Sequence, residues 1–252
     1  MTMNTKKSAF ALFFFFVLLS GFVTAQTEES KIRVAIYQDK GVGKGAGNML
    51  ARIIEKDPAF EYRIINGQDI RDGVLDQFDL FLLPGGSGRG EAASMQPEGV
   101  EKVKAFVRSG HGYLGICAGA YFPLQQEFIN VTRKSTLWQR GHAKLKIELT
   151  DLGREVFGQE YVGELEVNYH NGPVININEN PNMPTVEVLA WFRSETAENG
   201  TPAGIQINSP AIIFTRYEKG PVITISPHPE GTRDLKGFIN SALHYLAEHS
   251  EK

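Results

Sequence analysis

Residues 112–122, Gly-Tyr-Leu-Gly-Ile-Cys-Ala-Gly-Ala-Tyr-Phe, set a short apolar run and a cluster of small residues around the only cysteine, Cys117. Few local structures accept such a string. Tyr113, Leu114 and Ile116 read as the end of a buried strand, and a helix can start from Ala118 onward. Between them, Gly115, Ala118, Gly119 and Ala120 are small enough for a sharp turn in which the backbone passes close to itself. A nucleophile at a strand–turn–helix elbow is pushed clear of the sheet, and the N–H of the next residue, Ala118, is free to stabilise an oxyanion. A thiol there also lies near a helix N-terminus, whose partial positive charge favours the thiolate. An ordinary buried cysteine is the plain alternative.

Two other stretches bear on that choice. Asp79-Leu80-Phe81-Leu82-Leu83 is nearly unbroken apolar sequence, as in a strand covered on both faces, and it ends in Pro84-Gly85-Gly86-Ser87-Gly88-Arg89-Gly90. A glycine-rich turn after a central strand presents exposed backbone N–H groups, the second half of an oxyanion hole if the two strands are neighbours. Near the C-terminus, Pro221 to Ser226 reads as a last strand running into Pro227-His228-Pro229-Glu230-Gly231. The prolines bias Ser226 and His228 toward extended conformations. Residues two apart then point the same way, so Glu230 is expected beside His228. A carboxylate on one ring nitrogen fixes the tautomer and leaves the other as a base for a thiol. Strand ends of a parallel sheet share one edge, so Cys117, His228 and Glu230 are expected to converge as a catalytic triad.

The remaining elements predict the sheet. Ile32, Val34 and Ile36 mark a first strand, followed by the glycine-rich stretch 41–47 and a helix with Met49, Leu50, Ile53 and Ile54 on one face. The glycines fit neither phosphate-loop nor dinucleotide spacing, so a flexible loop at the ligand-facing edge is expected there. Phe60 to Ile65 reads as a second strand, and Val100, Val103, Phe106 and Val107 as a helix stopped at Gly110. Strand and helix alternating in this order argue an α/β fold with a doubly wound, mostly parallel sheet. From Lys144 to Glu218 short alternating runs take over: Leu145 to Leu149, Leu165 to Tyr169, Val174 to Ile177, Val186 to Phe192, Ile205 to Asn208 and Ile212 to Tyr217. They read as an antiparallel β extension of the same domain, since no linker separates them. Thr232 is a credible N-cap for a final helix carrying Leu235, Phe238, Ile239, Ala242 and Leu246.

The first residues read as an address. Lys6 and Lys7 precede an apolar run from Ala9 to about Val23, and Val23-Thr24-Ala25 offers small residues before Gln26. This is the pattern of a secretory signal, residues 1–25, cleaved after Ala25, which leaves a domain over 31–250 and an exported, periplasmic or secreted, protein with no stable membrane insertion; an uncleaved anchor is the alternative. Loss of Lys6 and Lys7 takes the formal charge from −3 to −5, because no acidic residue lies in 1–25. A mildly acidic chain without a Lys/Arg block is not expected to bind nucleic acid. The other histidines (His111, His142, His170, His244 and His249) show no metal-ligand spacing, so neither a metal nor another cofactor is expected.

Gly115-Ile-Cys-Ala-Gly119, the Leu-Pro-Gly-Gly turn before it and His228-Pro-Glu230 resemble the class I glutamine amidotransferase superfamily. The string Leu-Gly-Ile-Cys-Ala-Gly-Ala-Tyr-Phe, with Tyr169-His-Asn-Gly-Pro173 downstream, looks most like the domain at the N-terminus of biotin–protein ligases. The resemblance implies a flavodoxin-like sheet, Cys117 as nucleophile, His228 as base, Glu230 as its orienting acid, and Gly86 with Ala118 as oxyanion donors beside Gly85. It also places His170 and Asn171 at the border of the pocket. Glutaminases of the superfamily usually carry Gln four residues after the cysteine, helping to hold substrate; here Tyr121 stands there, which puts glutamine specificity in doubt. Together with the export signal, the resemblance implies an exported cysteine amidohydrolase acting on a small amide or γ-glutamyl-type substrate through a thioester. A binding or scaffolding module that keeps the pocket without turnover is the alternative.

Overall fold

Strands apolar on both faces must be covered on both sides, and Leu80–Leu83 and Gly220–Ile225, like the Gly112–Ile116 strand between them, are buried at every position. In the computed structural model these three lie near the centre of a nine-stranded sheet. The structure describes Met1 and residues 30–134, 140–178 and 180–251. The apolar run read as an export signal lies outside the described residues. Met1–Ser30 and Lys31–Lys252 separate as two units, and the second holds everything that follows. Among the described residues no helix is long and apolar enough to cross a membrane.

The chain runs β1 (Ile32–Tyr37), α1 (Ala46–Ile54), β2 (Phe60–Ile65), α2 (Gly67–Arg71), β3 (Leu80–Leu83), α3 (Gly88–Arg108), β4 (Gly112–Ile116) and α4 (Ala118–Gln125). It continues through β5 (Val131–Arg133), β6 (His142–Leu149), α5 (Asp151–Phe157), β7 (Glu164–His170), β8 (Ile175–Ile177) and β9 (Glu187–Phe192). β10 (Pro210–Tyr217), β11 (Gly220–Ile225) and α6 (Gly237–Glu248) complete it. The sheet order is β2-β1-β3-β4-β11-β10-β9-β6-β7, with β5 and β8 forming a separate ladder. The first five strands in that order pair in parallel, and every pairing from β11 onward is antiparallel. The mostly parallel α/β sheet and its antiparallel extension are thus one continuous surface.

Two apolar layers cover it. Val34 and Ile36 of β1 pack with Leu50 and Ile54 of α1 and with Phe238, Ile239, Ala242 and Leu246 of α6. Ala35 and Tyr37, pointing the other way, join Met95, Val100, Val103 and Val107 of α3 and Phe122 of α4. α3 begins earlier than its apolar face predicts, because Ser87 caps it, accepting from the Gly90 N–H at 3.3 Å; it breaks at Gln96 (φ 63°), just before Pro97.

Two local expectations fail. Ile205–Asn208 is a string of turns and bends instead of a strand: Gly204 and Asn208 take positive φ (84° and 58°), and the buried Gln206 side chain accepts from the Thr196 N–H at 3.1 Å. Thr232 does not cap the last helix, which starts at Gly237. Its hydroxyl instead donates to the His228 carbonyl (2.9 Å) and accepts from the Asn168 N–H (3.0 Å).

Candidate active site

The order β3-β4-β11 decides which loops meet. β4 lies between the other two in parallel register, with Leu83 opposite Gly115 and Ile225 opposite Ile116. Cys117 therefore emerges between the Pro84–Gly90 loop and the Ser226–Gly231 segment, and its N–H is anchored on the Ile225 carbonyl at 2.8 Å. Its backbone sits at φ 53°, ψ −100°, a conformation a side-chain-bearing residue adopts only when its surroundings force it. The forcing is visible on both sides. A Cβ on Gly115 would lie 2.2 Å from the Gly119 carbonyl oxygen, and one on Gly119 would lie 2.0 Å from that of Leu83. The spacing Gly-x-Cys-x-Gly is thus a requirement of backbone approach.

Gly85 adjoins Cys117 and His228. A Cβ there would fall 2.9 Å from His228 Cε1, 3.3 Å from Cys117 Cβ and 3.8 Å from Cys117 Sγ, so any side chain would push the imidazole and the thiol apart. Two bonds zip this turn to the loop after β1: the Gly43 N–H donates to the Gly85 carbonyl (2.9 Å), and the Ser87 N–H to that of Gly41 (2.7 Å). Among the described residues, no loop hydrogen bond uses the N–H of Gly86 or of Ala118. Both residues line the cavity beside Cys117.

His228 meets Glu230, its Nδ1 lying 2.6 Å from Oε1, but not along an extended strand. Pro229–Gly231 closes as one turn of 3₁₀ helix after His228 (φ −118°, ψ 75°), and this curl carries the carboxylate back to the ring. β7 holds the turn: the His228 N–H donates to the Asn168 carbonyl (2.7 Å) and Asn168 Nδ2 to the Gly231 carbonyl (2.8 Å). His228 Nε2 has no hydrogen-bond partner among the described residues. The Cys117 thiol donates to the His170 carbonyl at 3.2 Å. Burial pulls the His228 imidazole toward its neutral form, but the Cys117 sulfur and the Glu230 carboxylate outweigh it and raise its pKa to about 10. The proton's position decides between the two arrangements. As a thiol the sulfur donates to His170; as a thiolate it accepts from His228.

The antiparallel strands supply the opposite wall. His170 stands between His142 and His228, with ring centroids 4.8 and 4.9 Å away, and partial burial with the charge on those neighbours holds its pKa below the ordinary histidine value. Asn171 takes a left-handed φ of 57°, and its side-chain oxygen accepts from the Gly141 N–H (2.8 Å). Behind it lies Arg140, 1% exposed, which no sequence pattern singles out. Its guanidinium donates to the hydroxyls of Tyr169 and Tyr121 (2.8 Å each), to the Asn171 carbonyl (3.1 Å) and to that of Gly172. The Tyr121 hydroxyl in turn donates to the Asn171 carbonyl at 3.0 Å. Tyr121 borders the cavity, then, with its hydroxyl committed to positioning residues 170–172.

Cys117, Gly85, His228, His170, Asn171 and Tyr121 line a cavity of about 720 Å³, which also takes in Gly43–Ala46 after β1, Ser87–Arg89 and Arg133. It lies among the loops that follow β1, β3, β4 and β11, and the strand order reverses between β1 and β3, the kind of switch point at which doubly wound sheets receive ligands. Among the described residues, no group of three His, Cys, Asp or Glu side chains is placed to hold a metal ion.

Residues 32–147 match the family described as biotin-protein ligase, N terminal. An uncharacterized protein of Chlamydia muridarum is 33% identical over 96 residues, which are 36% of this chain and 37% of that protein; the chain thus spans little more than a third of this curated relative. The structure of PurLQS from Thermotoga maritima superposes with a TM-score of 0.61 at 16% identity, covering 86% of this chain and 100% of that one. A β-galactosidase from Bacillus circulans sp. alkalophilus gives 0.55 at 13% identity, over 85% of this chain and 31% of that one. At such identities the likeness concerns the fold alone.

Proposed function

From a chain that matches the biotin-protein ligase N-terminal family over residues 32–147, on a glutamine amidotransferase-like fold, we propose an exported cysteine amidohydrolase acting on a small amide. The observation that carries this reading is the single thiol at a strained elbow beside an imidazole whose other nitrogen is bound by Glu230 at 2.6 Å. In the proposed reaction the Cys117 thiolate attacks the amide carbonyl, and the oxygen takes the charge against the N–H groups of Ala118 and Gly86. The C–N bond breaks as His228 Nε2 gives its proton to the leaving nitrogen, which leaves a thioester. Water then adds to the acyl carbon, its proton going to His228, and the carboxylic acid departs as the thiolate reforms. Glu230 holds the ring by Nδ1 throughout.

A panel of small amides and esters, γ-glutamyl amides included, assayed with wild type, Cys117→Ala and His228→Ala, tests the assignment. Turnover is expected to vanish in the first variant and to fall at least about a thousandfold in the second; turnover unchanged in both would remove it. Export rests on residues 1–25 and is tested by N-terminal sequencing of protein from the extracytoplasmic fraction, with Gln26 expected first. The resting hydrogen bond from Cys117 to the His170 carbonyl favours a second reading, a binding module that keeps the pocket without turnover. In that case Cys117 alkylates only after unfolding.

A further inference from the structure

The charge of the cavity is opposite to that of the chain. The whole sequence carries a formal −3. Yet the cavity is lined by Lys44, Arg89 and Arg133, and among the described residues the one carboxylate in its lining is Glu230, whose side chain is 5% exposed and bound to His228. All three cationic residues are exposed to solvent. Among the described residues none of them is paired with a carboxylate. They come from three separate loops or edges: the glycine-rich loop after β1, the start of α3 and the end of β5. No single element's surface charge accounts for their convergence. Arg133 and Tyr121 both line the cavity, so the guanidinium at the end of β5 shares its wall with the residues beside Cys117. The glycine-rich loop itself, bonded to the Gly85 carbonyl, presents Lys44 toward the reactive pair's side of the sheet.

We propose that the cavity selects an anionic substrate, an amide that also bears a carboxylate or phosphate group held by Lys44, Arg89 and Arg133. This rests on Cys117 being the reactive thiol. An uncharged amide would leave three cations crowded around one site, whereas an anion relieves their mutual repulsion and is drawn in by the field of the cleft. A concave wall also screens the interaction less than open surface does.

Because the chain has one cysteine, alkylation reads the field at that sulfur directly. The ratio of the rate with iodoacetate to the rate with iodoacetamide is measured for native protein, for free N-acetylcysteine, and for Lys44→Ala/Arg89→Ala/Arg133→Ala. At low salt the protein's ratio is expected to exceed that of the free thiol by about fivefold or more, to fall to within about twofold of it in the triple variant, and to fall likewise in ~0.5 M NaCl. Protection of Cys117 from iodoacetamide by glutarate or by inorganic phosphate distinguishes the two kinds of anion. A reactive thiol with no preference for iodoacetate, or a preference untouched by the triple variant, would overturn the proposal and leave the hydrolase reading standing. A native thiol inert to both reagents would overturn both.

Discussion

The cavity lies between two ways of burying an ionisable group. On the parallel side Glu91, in the first turn of α3, is 0% exposed, and neither carboxylate oxygen has a hydrogen-bond partner among the described residues. On the antiparallel side Arg140, 1% exposed, is surrounded by hydroxyl and carbonyl acceptors. The contrast follows from what each group does without water. A carboxylate can take up a proton and become neutral, and burial accordingly pushes Glu91 up to about 8. A guanidinium cannot shed its charge, so its surroundings must answer it. Burial works against the Arg140 cation, but Tyr169 and Tyr121 outweigh burial and raise its pKa above the ordinary value. One side of the site is built from close backbone contacts around a neutral acid, the other from side chains arranged around a cation.

If that division is right, the parallel side should tolerate no new atom at its closest approach. Gly119→Ala drives a Cβ into the Leu83 carbonyl and is expected to cost more than about 4 kcal/mol or to prevent folding, as read by denaturant melts. The antiparallel side should respond to lost hydrogen bonds instead. Arg140→Met leaves two tyrosine hydroxyls and the Asn171 and Gly172 carbonyls without this donor, for a loss of roughly 3 kcal/mol.

Glu91 gives the pH signature. Its folded pKa lies above the unfolded value of 4.5, so the folded state holds the extra proton. Stability is therefore highest below about pH 4.5 and falls as pH rises toward about 8, by roughly 3 kcal/mol at pH 7 from this group alone. Glu91→Gln should remove that slope. Melting curves are expected to show a gain of about 2 kcal/mol at pH 8 and a loss of about 2 kcal/mol at pH 4.5, because the unpartnered buried amide costs roughly 2 kcal/mol at both. An equal gain at both pH values would break the comparison. Smallest of the four, Tyr121→Phe deletes the bond to the Asn171 carbonyl and the one accepted from Arg140, which keeps its other acceptors, and should cost about 1.5 kcal/mol, with a larger proportional fall in alkylation selectivity or turnover than in stability.

Legibility divides along the same line. The parallel half is written in local pattern: Leu80–Leu83 is continuously apolar because both faces are covered, and the glycines around Cys117 stand where two backbones touch. The rule that parallel strands put their C-terminal loops at one edge points residues 117 and 228 to the same rim without fixing the strand order, which the structure supplies. The antiparallel half hides its logic in distance. Arg140 meets Tyr121, Tyr169 and Gly172 at separations of 19, 29 and 32 residues, and no window of neighbouring sequence contains that network. Glu91 is hidden differently. It follows Gly-Arg-Gly, a context that reads as solvated, yet its side chain is fully buried, and its backbone is packed so closely by a loop fifty residues earlier that a Cβ on Gly41 would sit 2.3 Å from the Glu91 nitrogen. Ile205–Asn208 misleads by alternating apolar and polar residues while left-handed positions at Gly204 and Asn208 interrupt it.

The paired bonds between the loop after β1 and the loop after β3 have an evolutionary corollary. Neither segment is at liberty to lengthen or shorten by itself, since a one-residue insertion in either would shift Gly43 against Gly85 and tip the neighbouring N–H groups out of aim. Ligand preference is therefore open to change through whatever side chains these loops display, Lys44 and Arg89 among them, while a change in the length of one loop demands a matching change in the other.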